Sequence, residues 1–317
     1  MRLCRFGSES DPRVGFYNET RIVPLREAGG EFASRSGRAM KLPDPAELLD
    51  CLPHGTHFEF ARDLAAWVEA TPDLPGTLDP AKVQLLLPVP RPNKIFLLAG
   101  NYAEHIREGG GTAAERAETI PYVFMKPSTT LTATGQPIKL PAAAPDAVDW
   151  ELELAVIIGR RAKRVSEAQS LDCVAGYAVV NDLSQRRFRP NPGRKKREKD
   201  AFFDWLHGKW FDSFCAVSGA VASADSIPDP QGLRMRLDVN GVVKQDATTA
   251  QMIFPVAAVV AFISDICTLE PGDIISTGTP AGVGVTRGEF LKAGDRVTGW
   301  IERIGTVSNP VEVESPL

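Results

Sequence analysis

Two glutamates separated by a single residue, Glu151 and Glu153, stand in an otherwise apolar run, Asp149-Trp-Glu-Leu-Glu-Leu-Ala-Val-Ile-Ile158. Successive side chains of a strand alternate faces, so the pair projects to one side and Trp150, Leu152 and Leu154 to the other. Carboxylates this close repel each other, and burial makes ionising both costly. A divalent cation relieves that repulsion, because hard cations such as Mg2+ take oxygen ligands and let water or substrate complete the shell. The competing reading is a solvated strand face. Asp182, in Val179-Val-Asn-Asp-Leu-Ser184, offers a third oxygen where a later strand ends, although Asn-Asp is also ordinary turn chemistry.

His105 is one of four histidines and lies in Asn101-Tyr-Ala-Glu-His-Ile-Arg-Glu108. On a short helix it meets Glu108 three residues on. A carboxylate orients an imidazole and raises its basicity, which suits a general base acting on water; an incidental surface ion pair is the alternative. Gly109-Gly-Gly111 follows, either a hinge for a lid or a plain flexible loop. Lys126 and Lys209 sit among aromatic residues, in Tyr122-Val-Phe-Met-Lys-Pro and Trp205-Leu-His-Gly-Lys-Trp-Phe. There a lysine stabilises a developing oxyanion or snorkels to water. Thr277-Gly-Thr-Pro-Ala-Gly-Val-Gly284 is a small-residue loop whose N–H groups can approach an anion closely. It lacks the ending of a Walker loop, and no G-x-G-x-x-G opens a helix, which argues against a nucleotide cofactor.

Those residues need elements to hold them. Strands are expected at Val14–Tyr17 and Arg21–Leu25 around an Asn-Glu turn, at Lys94–Ala99, at Trp150–Ile158 and at Val174–Val180. Residues 59–69 have helical apolar spacing, and Ala257–Ile266 reads as a buried helix. Ser166-Glu-Ala-Gln169 reads as a capping box opening a helix that ends near Asp172. Asn240-Gly241 is the strongest hairpin signal. Leu-x-x-Gly-Asp occurs at Leu269–Asp273 and Leu291–Asp295, two turns entering strands. Alternating prolines in Leu85-Leu-Leu-Pro-Val-Pro-Arg-Pro-Asn93 mark an extended connector. The expected division is a small N-terminal α/β domain over 1–88 and a β-rich catalytic domain over 89–317. The fold class is α+β, without regular βαβ alternation.

A chain of 317 residues, 43% hydrophobic and 24% charged, has material for a sizeable core. Its net charge of −4 excludes a surface tuned as a whole to nucleic acid or anionic membrane. The basic tract from Arg186 to Lys199 is read as a flap over an anionic substrate rather than a nucleic-acid site, so neither nucleic acid nor membrane is expected as a partner. The apolar stretch Ile253–Ile263 is too short to span a bilayer and contains Pro255. Five scattered cysteines without metal spacing read as buried free thiols. With no apolar leader in MRLCRFGSES, a cytoplasmic location is expected.

Taken together, the segments resemble the fumarylacetoacetate hydrolase family over roughly residues 90–312. The resemblance is carried by Asn101-Tyr-Ala-Glu-His, Phe124-Met-Lys-Pro-Ser, Asp149-Trp-Glu-Leu-Glu-Leu, Asn181-Asp-Leu-Ser, Gly208-Lys-Trp-Phe-Asp, Val239-Asn-Gly, Met252-Ile-Phe and Leu269-Glu-Pro-Gly-Asp through Gly284. It implies a catalytic domain of mixed β-roll or barrel type and a homodimer. It also implies one Mg2+ or Mn2+ per subunit on Glu151, Glu153 and Asp182. By the same resemblance His105 and Glu108 activate water, and Lys209 stabilises an enolate or carbonyl oxygen. Thr279 contacts the substrate carboxylate, Arg186 binds substrate, and Lys126 is a further site lysine. The chain departs from the pattern after Asn-Asp-Leu-Ser: Arg187 and Arg189 stand where many members carry Asp and Gln, and the basic loop is longer.

Three functions fit. The first is hydrolysis of a C–C bond in an acylpyruvate or related dioxo acid, with the oxo-acid end on the metal and water activated by His105 and Glu108. The second is isomerisation or decarboxylation of a 2-hydroxydienoate or oxaloacetate-like acid through the same enolate. The third is non-catalytic binding of a keto acid.

Overall fold

The structure is a computed structural model and describes residues 1–37 and 47–315. Its frame is an 11-stranded sheet. Along the main path the order is Ile22–Pro24, Asp11–Tyr17, Arg2–Ser8, Ala220–Ser223, Val174–Asp182, Leu152–Ile158, Ile274–Ser276, Ile95–Ala99 and Tyr122–Met125. A five-stranded sheet, Val242–Thr248, Arg234–Val239, Arg296–Ile301, Gly305–Val313 and Ile138–Leu140, packs against one face of it. Neither strand order closes on itself, so the β-rich α+β expectation of a roll or barrel resolves to a roll of two open sheets.

The central strand Leu152–Ile158 shows why its sequence is apolar almost throughout. Leu152, Leu154, Val156 and Ile158 enter a core shared with Met235, Leu237, Val297 and Val307 of the smaller sheet. Ala155 and Ile157 enter a second core with Leu3, Leu48, Leu64 and Ile274. Covered on both faces, the strand has no solvent side to mark with polar residues. The helix Val256–Ile266 buries Val256, Val259, Val260 and Ile263 in the first core. The helix Phe58–Ala70 buries Ala61, Leu64 and Val68 in the second.

The N-terminal strands join the same sheet, since Arg2, Leu3 and Cys4 pair with Ala222, Val221 and Ala220. Asn240 and Gly241, both at positive φ (54° and 77°), form the tight turn of the hairpin between Arg234–Val239 and Val242–Thr248. Both Leu-x-x-Gly-Asp segments run into strands, at Ile274 and Arg296. The expected capping box at Ser166 does not form. The helix is only Glu167–Ser170, and the Ser166 hydroxyl bonds the Gln169 side chain at 2.8 Å instead of a backbone N–H. All five cysteines are free, and four are buried. Among the described residues, no helix is long and apolar enough to cross a membrane.

Candidate metal centre

Strand register assembles the carboxylates. Asn181 lies opposite Leu152 and Val180 opposite Glu153, and the Asp182 N–H donates to the Glu151 carbonyl at 2.8 Å. Residues opposite each other in an antiparallel pair share a face. Asp182 therefore joins Glu151, and Glu153 follows two residues on along the same side. One oxygen from each of the three lies within 4.8 Å of the others, and all three residues are buried. Burial removes the solvated-face alternative.

Three cations surround the cluster. Lys209 Nζ donates to Glu151 Oε2 at 2.7 Å and Asp182 Oδ2 at 2.6 Å, and lies over the Phe124 and Trp205 rings. Arg186 bridges Glu151 (2.5 Å) and Asp149 (2.8 Å). Lys126 binds Asp182 and donates to the carbonyls of Leu183 (3.0 Å) and Phe214 (2.5 Å). Four buried carboxylates thus face two buried lysines and the partly buried Arg186. Burial alone would push Glu151 up, but Lys209, Arg186 and His105 hold it well below the usual carboxylate range. Burial opposes the charge on Lys209 as well, and Asp182 and Glu151 outweigh it, so the ammonium is held more tightly than usual.

Glu153 is the uncompensated member. It is 0% exposed, and burial together with repulsion from Asp182 and Glu151 pushes its carboxyl well above the usual range. Its Oε2 accepts from the Ser276 hydroxyl (2.6 Å) and the Gly278 N–H (2.8 Å), while its Oε1 is buried without a hydrogen-bond partner. A buried orphan carboxylate oxygen is costly. A hard divalent cation would satisfy it, and an all-oxygen donor set with one surplus negative charge suits that ion. The residues present fit the group.

His105 Nδ1 lies 2.8 Å from Glu108 Oε1, leaving Nε2 as the ring nitrogen free for a water. Glu108 is fixed in turn by the Gly282 N–H at 2.9 Å. His105, Glu151, Arg186, Lys209 and Thr279 line one cavity of about 60 Å3. The small-residue loop does meet anions, and they are the protein's own carboxylates. Gly278 N–H serves Glu153, Gly282 serves Glu108, and Gly284 and Val285 serve Asp149 at 2.6 and 3.0 Å. The Thr279 hydroxyl donates to the Leu152 carbonyl at 3.0 Å and accepts from Gln245 at 2.8 Å.

Lys126, expected from the resemblance to face substrate, is placed differently. All its donors are committed to protein acceptors and it is 4% exposed, so it positions Asp182. Lys209 is 2% exposed, which removes snorkelling as its explanation. Three supporting residues were not singled out from sequence. Asp149 holds Arg186 and the Gly284 turn, Asn101 ties the carbonyls of Phe254 (3.1 Å) and Thr277 (2.8 Å), and Gln245 bonds the Leu152 N–H at 2.9 Å. Asp149 and Asn101 sit inside the quoted motifs, yet nothing in their spacing marks what they hold.

Gly278 has φ +90°, and a Cβ there would come 2.8 Å from the Asn101 Cβ. Gly278→Ala is expected to destabilise the protein by about 1–3 kcal/mol, because an L side chain is strained at that φ before any clash is relieved. Chemical denaturation of the two proteins measures it.

An open two-sheet roll with a buried carboxylate triad, and a cavity where Glu151 of that triad meets the Glu108-bonded His105, defines the class of site. The chain belongs to the fumarylacetoacetate hydrolase family: residues 94–312 match the model of its fumarylacetoacetate (FAA) hydrolase C-terminal domain. It is similar to the mitochondrial oxaloacetate tautomerase of Xenopus laevis, 39% identical over 236 residues, 74% of this chain and 70% of the relative. Among solved structures it is similar to maleylpyruvate hydrolase from Sphingobium sp. SYK-6 in complex with manganese(II) and pyruvate. The TM-score is 0.71 at 30% identity, covering 99% of this chain and 100% of the other. A 2-hydroxyhepta-2,4-diene-1,7-dioate isomerase from Mycobacterium marinum gives a TM-score of 0.68 at 30% identity, with both chains fully covered. The family's members thus include hydrolases, isomerases and tautomerases.

Proposed function

We propose that the chain is a divalent-metal-dependent hydrolase that cleaves a C–C bond in an acylpyruvate or similar dioxo acid. The observation that carries this reading is His105, bonded by Glu108 and lining the same small cavity as Glu151, Lys209 and Thr279. A divalent cation held by Glu151, Glu153 and Asp182, Mg2+ or Mn2+, supplies Lewis acidity to the 2-oxo-carboxylate end of the substrate. The manganese and pyruvate in the similar maleylpyruvate hydrolase support that assignment.

His105, oriented by Glu108, takes a proton from water at Nε2. The water oxygen bonds to the distal carbonyl carbon, and the bond from that carbon to the methylene of the pyruvyl unit breaks. Its electron pair stays on the pyruvyl fragment as an enolate, whose charge the Lys209 ammonium offsets. Protonation at carbon gives pyruvate, and the distal fragment leaves as a carboxylic acid. Arg186 and Thr279, on the cavity wall, bind the oxo-acid head, Thr279 by turning its hydroxyl proton from the Leu152 carbonyl to the substrate. A homodimer is part of the proposal: Tyr122 and Met125 on the edge strand and Trp210 beside it are exposed apolar residues that a second copy would cover.

The second reading, tautomerisation, isomerisation or decarboxylation through the same enolate, is supported by the tautomerase among the relatives. It needs no water. Incubating acylpyruvates and oxaloacetate side by side with Mg2+ or Mn2+ separates the two. The hydrolase reading expects pyruvate and a carboxylic acid in equal amounts from an acylpyruvate, lost with chelator and restored by metal. Conversion of oxaloacetate alone would overturn it in favour of the second.

A further inference from the structure

The ladder between Leu152–Ile158 and Ile274–Ser276 ends where Ser276 pairs with Ala155, and the Thr277 N–H makes its last backbone bond, to the Leu154 carbonyl at 3.0 Å. Backbone groups of alternate residues face the same edge of a strand. Those of Leu152, the residue between Glu151 and Glu153, therefore face the place where the neighbouring strand has stopped. Two side chains replace it. Gln245 Oε1 accepts from the Leu152 N–H at 2.9 Å, and the Thr279 hydroxyl donates to the Leu152 carbonyl at 3.0 Å. Gln245 reaches in from the strand Val242–Thr248 of the smaller sheet and is 1% exposed. Thr279 is buried as well and lines the small cavity at the metal centre.

The partners of the Gln245 amide fix which way round it lies. The Leu152 N–H can only donate, so the amide oxygen faces it; the Pro280 carbonyl can only accept, so the amide nitrogen, 2.8 Å away, faces that. A reversed amide would set nitrogen against N–H and oxygen against carbonyl, leaving two buried bonds unmade. The second amide hydrogen then points at the Thr279 hydroxyl oxygen, 2.8 Å from the nitrogen. That oxygen accepts on its Gln245 side, and its own proton is left for the other side. There it serves the Leu152 carbonyl, or an acceptor on a molecule in the cavity.

We infer that Gln245 is a positioning residue that holds the Thr279 hydroxyl as a donor, so that Thr279 selects a hydrogen-bond acceptor, a carboxylate or keto oxygen, on the head of the substrate. The same amide holds the backbone between Glu151 and Glu153, which ties the substrate contact to the strand carrying two of the proposed metal ligands. The inference rests on the proposed binding of the oxo-acid head by Thr279.

Pyruvate binding to the Mn2+-loaded protein, measured by calorimetry, tests it in a double-mutant cycle of Gln245→Glu and Thr279→Val. Gln245→Glu keeps an oxygen for the Leu152 N–H but puts an acceptor where the amide nitrogen stood, which draws the Thr279 proton away from the ligand. Each single variant is expected to bind pyruvate about 10- to 100-fold more weakly, the range for one hydrogen bond to a charged group. The double variant is expected to bind no more weakly than Thr279→Val alone, because Gln245 acts through that hydroxyl. Losses that add in the double variant, or wild-type affinity in Gln245→Glu, overturn the role of Gln245 and leave the Thr279 contact standing. Wild-type affinity in Thr279→Val overturns that contact and the inference with it, and a wild type that binds no pyruvate overturns the oxo-acid reading too. If Gln245→Glu does not fold, Gln245→Met takes its place in the cycle, with the same absence of additivity expected and the same additivity overturning the role.

Discussion

Replacing His105 with alanine is expected to lower kcat about 10²- to 10⁴-fold, the usual contribution of a positioned general base, while Mn2+ binding is retained. The split follows from geometry. His105 reaches Glu108 through Nδ1 and faces the cavity, whereas the three oxygens proposed to hold the ion belong to other residues. Glu108→Gln keeps the Gly282 N–H bond available but removes the charge that orients the imidazole, so a smaller loss is expected. Steady-state kinetics on an acylpyruvate, with calorimetric Mn2+ titration of each variant, checks both. Wild-type turnover by His105→Ala would remove water activation from the mechanism and favour the enolate reactions that need no water.

The second large effect is expected at Glu153, where two opposite signs should appear in one variant. Glu153→Gln keeps an oxygen to accept from Ser276 and Gly278 and puts an amide where the orphan oxygen stands. The amide adds no charge to the cluster and can donate to a neighbouring carboxylate. Metal-free stability is therefore expected to rise by about 1–3 kcal/mol, the cost of an unsatisfied buried group. Divalent-ion affinity is expected to fall by about 100-fold or more, since disturbing even outer partners of a ligand costs 10- to 100-fold. Denaturation in chelator and Mn2+ titration read the two effects separately. A variant less stable without metal would mean that the Glu153 charge is already compensated.

What the sequence displayed and what it hid divide along distance in the chain. Glu151 and Glu153 were legible because period-two alternation inside an apolar strand is a local pattern. So were the Asn240-Gly241 hairpin and the His105–Glu108 contact, each decided within four residues. Asp182 required knowing that Asn181 pairs with Leu152, a register set by two cores on opposite faces of the sheet. The partners of Lys126 were hidden for the same reason. Its aromatic neighbours in sequence say nothing of the Leu183 and Phe214 carbonyls that absorb its donors. Asp149, Asn101 and Gln245 work by bonding backbone groups far away in the chain, and no local pattern announces that. The Ser166 capping box had the right residues and failed because the Ser and Gln side chains satisfy each other.

The resemblance implies the roles, and the structure brings together the residues that would fill them. Four buried acids against two buried lysines and one partly buried arginine is an arrangement that folding alone would not favour. It makes physical sense if a further positive charge arrives.

Crystals grown in Mn2+ and measured at the manganese absorption edge ask that question directly. One anomalous peak per chain, within bonding distance of Glu151, Glu153 and Asp182, is the predicted result, with Glu153 Oε1 among its ligands. A peak elsewhere, or an empty triad bridged only by Lys209 at saturating Mn2+, would contradict the account.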